Sequence, residues 1–119
     1  MINKIEIAGV HTKVDSDLHK YVNKKIGKLD RYIPRRARES AHAEVKLIES
    51  KAKDKKECTC EVILHLPHDT ITVKESTLNM FAAVDIVESR LKNQIKSYKD
   101  KNLPAKLHRR LLAKFKRRR

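Results

Sequence analysis

NMFAAVDIVESRLKNQIKSYKD, from Asn79 to Asp100, is the stretch whose pattern decides the fold. Val84, Val87, Leu91, Ile95 and Tyr98 recur at spacings of three and four, which lines them along one side of an α-helix. The opposite surface carries Arg90, Lys92, Asn93, Lys96 and Lys99. Thr77 or Asn79 supplies the N-cap, since either side-chain oxygen can accept from the unpaired amides of the first turn. A long helix with one apolar stripe needs a surface to cover, and the residues before it supply one.

Working back from that helix, the period changes from about 3.6 to two. Ala43, Val45 and Leu47 alternate with His42, Glu44 and Lys46; Cys58, Cys60, Val62, Leu64 and Leu66 alternate with Thr59, Glu61, Ile63 and His65. Pro67, His68 and Asp69 read as a turn into a further short strand with Ile71 and Val73. The charged stretch Ser50 to Glu57 lacks an apolar pattern and reads as an exposed hairpin loop. Three strands with short connections predict an antiparallel meander. Nearer the start, Ile5 and Ile7 against Lys4 and Glu6 predict a strand that Gly9 ends. Asp15 then caps a helix whose stripe is Leu18, Val22, Ile26 and Leu29, with Lys20, Lys24, Lys25 and Lys28 on its other turns. Pro34 closes the helical region, and Arg35, Arg36 and Arg38 form a basic loop. The order is β-α-β-β-β-α, an α+β domain over residues 1–102, followed by a basic tail over residues 103–119.

Charge is the strongest compositional signal. The chain has 119 residues, with 29 Lys and Arg against 15 Asp and Glu, giving +14 and a pI near 10.0. So basic a domain suits a polyanionic partner, and nucleic acid or an anionic membrane surface are the two choices; a merely soluble, sticky protein is the bland alternative. Residues 106–119 hold eight Lys or Arg and no acid, so the tail carries eight of the fourteen net charges. Leu107, Leu111 and Phe115 are spaced by four, enough for a short amphipathic helix on contact with RNA but for only a narrow membrane-binding stripe. No apolar run reaches the roughly 18–20 residues that span a bilayer, and Met1 to Val10 lacks the form of a signal peptide. The chain is therefore expected in the cytoplasm, where Cys58 and Cys60 remain free thiols.

The residues ask for no chemistry. Cys58 and Cys60 with His65 and His68 invite a zinc reading, but alternate strand residues share a face and zinc ligands are usually set around a turn. With only Gly9 and Gly27 there is no glycine-rich phosphate loop, and the six histidines are scattered. No enzyme activity, metal, cofactor or small-molecule substrate is expected. The lysines at 20, 24 and 28 and the basic residues at 90, 92, 96 and 99 read either as ordinary solvated helix faces or as phosphate-binding surfaces. Two such helices with an acid-free tail favour the second. The strands carry no aromatic residues on which to stack bases, so recognition of structured RNA by backbone and shape fits better than reading of single strands.

Ile26-Gly-Lys-Leu29-Asp-Arg-Tyr32, and above all Asn79-Met-Phe-Ala-Ala-Val-Asp-Ile-Val-Glu-Ser-Arg-Leu91 with its continuation to Lys101, resemble the ribosome hibernation-promoting factors. That family also includes the ribosome-associated inhibitor and is called the sigma-54 modulation protein family; the resemblance is to its short form and covers residues 1–102. It implies two helices packed on one face of a four-stranded sheet, similar to double-stranded-RNA-binding domains. It further implies binding in the decoding groove of the small ribosomal subunit. There the protein overlaps the messenger and transfer RNA sites and inhibits translation under stress or in stationary phase. The rRNA contacts it implies are Lys24, Lys28, Arg90, Lys92, Lys96, Lys99 and Lys101, with Arg90, Lys99 and Lys101 lying where the family's second helix is basic.

Two departures qualify that expectation. The long form has a second domain that pairs ribosomes, for which 119 residues leave no room, and the chain is expected to be a monomer off the ribosome. The inhibitor branch tends to end in an acidic tail, whereas this tail is basic; Arg109, Arg110, Lys114 and Arg117 are expected to add rRNA contacts along the messenger path. The competing reading is a general structured-RNA-binding protein acting in ribosome assembly, with an RNA-processing enzyme a distant third.

Overall fold

The computed structural model describes Ile2 and residues 4–52, 55–67 and 69–101, with Ala52 and residues 99–101 described by their backbone. The elements follow in the order β1 (Lys4–Val10), α1 (Ser16–Gly27), a 3-10 helix (Lys28–Tyr32), the single turn α2 (Arg35–Arg38), β2 (His42–Ala52), β3 (Lys55–Leu66), β4 (Asp69–Thr77) and α3 (Met80–Lys101). The sheet has the order β1-β2-β3-β4. β1 pairs with β2 in parallel, Lys4 opposite His42 through Val10 opposite Ile48. A parallel pair needs a crossover, and the segment containing α1 is that crossover. β2, β3 and β4 form the expected antiparallel meander.

One face of this sheet is covered and the other is open, as the period of two requires. Ala43, Val45 and Leu47 of β2, Cys58, Cys60, Val62 and Leu64 of β3, and Ile71 and Val73 of β4 are buried on the covered face. Over them lie Leu18, Val22 and Ile26 of α1, and Val84, Val87, Leu91 and Ile95 of α3, the last four fully buried. The β-α-β-β-β-α order therefore stands, with the single turn α2 added.

Both long helices begin on side-chain caps. Asp15 Oδ1 accepts from the Leu18 amide at 2.8 Å, and Asn79 Oδ1 accepts from the Phe81 amide at 2.8 Å. Thr77 braces the second cap: its Oγ1 accepts from the Asn79 amide at 2.9 Å and donates to the Asn79 carbonyl at 3.0 Å. The two candidate caps thus act together. The 3-10 helix ends where expected, since Pro34 holds Ile33 extended at φ −84° and ψ 135°.

Three local expectations are corrected. Ser50 to Glu57 is not a loop: β2 runs to Ala52 and β3 begins at Lys55, the two being register partners. This end carries no apolar alternation because Lys55, Lys56 and Glu57 are all exposed, and the backbone ladder is instead accompanied by the diagonal pair of Lys56 Nζ with Glu49 Oε1 at 2.8 Å. Arg35 to Arg38 form a helical turn rather than a loop. Pro34 precedes that turn, a position where its missing amide costs nothing.

Gly9 does not end β1, which continues to Val10. The chain reverses at His11, whose φ of 58° lies in the left-handed region. Gly9 is needed for the return: a Cβ there would stand 2.6 Å from the Thr12 carbonyl oxygen and 3.0 Å from Val14 Cγ2. Since the first obstacle is backbone, relief requires moving the turn. Gly9→Ala is expected to destabilise the domain by about 1–3 kcal/mol, the usual range for overpacking. Urea unfolding checks this, and an unchanged midpoint would show that the turn yields freely.

Candidate nucleic-acid interface

The helices run in the same direction. Tyr21 meets Phe81 edge-to-face at 5.0 Å, Lys25 meets Asp85 and Glu88 at 3.5 and 3.7 Å, and further along Lys92 Nζ lies 4.9 Å from the centroid of the Tyr32 ring. Because the apolar stripes face the sheet, the flanks of the two helices face each other and form a seam. At its later half the seam opens into a groove of about 280 Å³ lined by Lys24, Lys25, Lys28, Arg31, Tyr32 and Lys92, with Leu29 as floor and Glu88 at one side.

Helical geometry explains which side chains reach this groove. On α3, Asp85, Glu88, Lys92 and Lys96 follow at steps of three and four and share one flank. On the first helical segment, Lys24 and Lys25 close α1, and Lys28 and Arg31 extend from the 3-10 turn that follows it. Cations at a helix C-terminus are favoured by the partial negative charge of its free carbonyls. Lys24, Lys28 and Arg31 are exposed, whereas Lys92 is half-buried against Tyr32. Among the described residues, no carboxylate lies within ion-pair distance of Lys24, Lys28, Arg31, Lys92 or Lys96.

The structure brings three of the expected contact residues together: Lys24, Lys28 and Lys92. Lys96 is exposed one turn further along the same flank, outside the groove lining. Arg90 points to the opposite flank of α3, where its Nη1 pairs with Glu75 of β4. Lys99 and Lys101 have their backbone in the last turns of α3, and Arg109, Arg110, Lys114 and Arg117 lie outside the described residues. Residue patterns missed Lys25, Arg31 and Tyr32 as site residues. Tyr32 follows the stripe residue Leu29 by three, a spacing that marks it as a continuation of the same helical run.

The early half of the seam has a different character. Tyr21 OH donates to Asp85 Oδ1. That hydrogen bond, then burial and the charges of Asp85 and Glu88, push the Tyr21 phenol up to about 12. Elsewhere, Cys58 and Cys60 are buried on the covered face of β3. Burial pushes the Cys60 thiol up to about 12, so it packs as a protonated apolar group rather than as a ligand. His65 lies on the other face, its Nε2 2.9 Å from Glu44 Oε2.

Two parallel helices on one face of a mixed four-stranded sheet, with a cation-lined seam between them, define an α+β domain whose exposed helix layer is suited to a polyanion. The same fold occurs in a ribosomal subunit interface protein from Coxiella burnetii, with a TM-score of 0.66 and 22% identity over 81% of this chain and 97% of that one. It also occurs in the Protein Y N-terminal domain of Thermus thermophilus, with a TM-score of 0.60 and 28% identity over 82% of this chain and 97% of that one. The chain belongs to the family described as Sigma 54 modulation protein / S30EA ribosomal protein, whose model matches residues 5–103. Its relatives include the ribosome hibernation promotion factors of Lactococcus lactis subsp. cremoris (strain MG1363), 30% identical over 96 residues, and of Staphylococcus aureus (strain COL), 28% identical over 96 residues. Each match covers 81% of this chain but 49% and 48% of the relative, so the chain spans about half the length of the curated relatives it matches. This is a family of ribosome hibernation and interface factors, not of enzymes. Among the described residues, no helix is long and apolar enough to cross a membrane.

The raised Tyr21 phenol has a consequence at high pH. A phenol whose folded-state pKa stands above the unfolded value stabilises the fold below that unfolded value, and the contribution is lost as pH rises from about 10 to about 12. Alkaline titration followed by phenolate absorbance is expected to lose its component near pH 12 in Tyr21→Phe. Retention of the full component would mean that the Asp85 hydrogen bond is absent in solution.

Proposed function

We propose that this domain binds the small ribosomal subunit through the α1–α3 seam, in the decoding groove, and there excludes messenger and transfer RNA. On this reading it is a hibernation factor that keeps idle ribosomes from initiating under stress or in stationary phase, acting in the cytoplasm as a monomer until it meets a subunit. Its action is steric and electrostatic. Residues 1–102 are the binding domain and residues 103–119 a basic tail that adds contacts.

The observation that carries this reading is the groove itself. Lys24, Lys28, Arg31 and Lys92 converge on one opening without a carboxylate pairing any of them among the described residues. Family membership supports the ribosome as the polyanion, since the family is described as an S30EA ribosomal protein family and the curated relatives are named ribosome hibernation promotion factors. Lys96 extends the same contact along α3, Lys99 and Lys101 add contacts near its end, and Arg90 serves after release from Glu75. Arg109, Arg110, Lys114 and Arg117 contact rRNA from the tail.

Co-sedimentation with small ribosomal subunits near physiological salt tests the proposal. The expected result is saturable binding near one per subunit, lost when messenger and initiator transfer RNA are already bound. Weak binding at many sites, indifferent to those ligands, would sink the occlusion reading and leave a general structured-RNA binder of the kind used in ribosome assembly. Lys28→Gln combined with Lys92→Gln is expected to weaken binding and to reduce the salt slope by roughly 1.4–1.8, taking about 0.7–0.9 per phosphate contact. An unchanged slope would remove the groove from the interface.

A further inference from the structure

Asp85 and Glu88 are placed where a polyanion-binding seam should have no acids. Both lie on the groove-facing flank of α3, one and two turns before Lys92, and Glu88 is part of the groove wall. Both reach the same ammonium, Lys25, at 3.5 and 3.7 Å. Two carboxylates on one lysine leave a net negative charge in a chain of +14. Asp85 also accepts from the Tyr21 hydroxyl, but the ion pairs themselves are not what stability calls for. The side chains are 49%, 27% and 35% exposed for Asp85, Glu88 and Lys25, and ion pairs so exposed contribute little. A single carboxylate would satisfy Lys25.

The flank of α3 therefore switches sign along its length: aromatic at Phe81, acidic at Asp85 and Glu88, basic at Lys92 and Lys96. At a rise of about 1.5 Å per residue, Glu88 and Lys92 are about 6 Å apart along the axis. An RNA backbone held by Lys28 and Lys92 and continuing straight along the seam meets Glu88 next, then Asp85. A backbone that bends away at that point avoids both.

Resting on the reading that the seam binds rRNA, we propose that Asp85 and Glu88 are specificity-determining residues of that site. They reject straight RNA backbones that run the length of the seam and admit a folded RNA whose backbone leaves the groove beside Glu88. The ligand class is thus a sharply turned ribose-phosphate chain, and uniform A-form duplex is discriminated against by charge rather than by shape alone. Lys25 holds the two carboxylates in place and, being paired with both, is not itself a phosphate ligand.

The test compares affinity for small ribosomal subunits with affinity for a straight 20-base-pair RNA duplex, for the full chain and two variants. Asp85→Asn combined with Glu88→Gln preserves shape and removes the rejecting charge. Duplex affinity is expected to rise by roughly three- to tenfold with a salt slope steeper by up to about one, as one further phosphate contact becomes available, while subunit affinity changes less. Lys25→Met breaks the same ion pairs but leaves the carboxylates, so duplex affinity is expected to fall. A purely structural role predicts that both variants shift binding and melting temperature in the same direction. Equal gains for duplex and subunit, or parallel shifts in the two variants, overturn the inference. Failure of the unaltered chain to bind subunits saturably overturns the rRNA reading instead, and the duplex comparison still reports on the carboxylates.

Discussion

The burial of two apolar helix stripes on one face of a single sheet governs the rest of this structure. Val22 and Ile26 of α1 and Val84, Val87, Leu91 and Ile95 of α3 are fully buried over Val45, Leu47, Val62 and Leu64. Fully burying an aliphatic side chain of this size contributes about 1.5–3 kcal/mol, so no surface contact competes with these in setting the rotation of either helix. Once the stripes are seated, each helix has one flank turned toward the other, and whatever the sequence places there must share the seam. Lys25, Lys28, Asp85, Glu88 and Lys92 are neighbours for that reason. Their direct pairings are weak consequences of a packing decision taken elsewhere.

The same constraint separates charge between the two layers. The open face of the sheet carries Lys4, Lys46 and Lys74 together with Glu6, Glu44 and Glu61, placed by register on one side and evenly balanced. Pairs such as Lys46 with Glu61 at 3.9 Å and His65 with Glu44 at 2.9 Å join neighbouring strands there. The groove between the helices instead gathers five cations and one acid. Among the described residues the excess of cations is thus gathered in the groove rather than on the open sheet face. Field from clustered cations steers a polyanion toward one orientation, which a uniformly basic domain would not do.

Most of the architecture was legible because its elements bury something. A stripe at Val84, Val87, Leu91, Ile95 and Tyr98 and an alternation at Cys58, Cys60, Val62, Leu64 and Leu66 have few other solutions. What could not be read was built from groups that bury nothing. The strand extensions through Lys51 and Lys56 are held by the backbone ladder and cross-strand charge, neither of which leaves an apolar pattern. The strand beyond Gly9 leaves no sign in the pattern because its glycine serves a close approach, not a stop. For the site, charge alone marked Lys24, Lys28 and Lys92, but it could not distinguish them from Arg90, which rotation about the helix axis sends to Glu75. Lys25 reads in sequence like its neighbours; only the packed pair of helices shows that two acids already hold it.

The aromatic residues complete this logic. The chain has three Tyr and two Phe, and three of the five, Tyr21, Tyr32 and Phe81, stand on the seam rather than in the aliphatic core. The two tyrosines each restrain a charged neighbour: Tyr21, packed against Phe81, holds Asp85 by its hydroxyl, and the Tyr32 ring lies beneath the Lys92 ammonium at 4.9 Å. A cation over a ring is worth about 0.5–1 kcal/mol at an exposed site, a modest gain for stability. On the proposed reading its larger effect is on binding. A free lysine carries roughly 2 kcal/mol of rotamer entropy, which ordering on a phosphate would cost. Lys92 has surrendered part of that freedom during folding, so less would be lost on a phosphate at the proposed interface. A rigid ring beside a flexible cation turns a basic surface into a preorganised one, and in the proposed interface that preorganisation would favour one RNA shape over the many phosphates a cell presents.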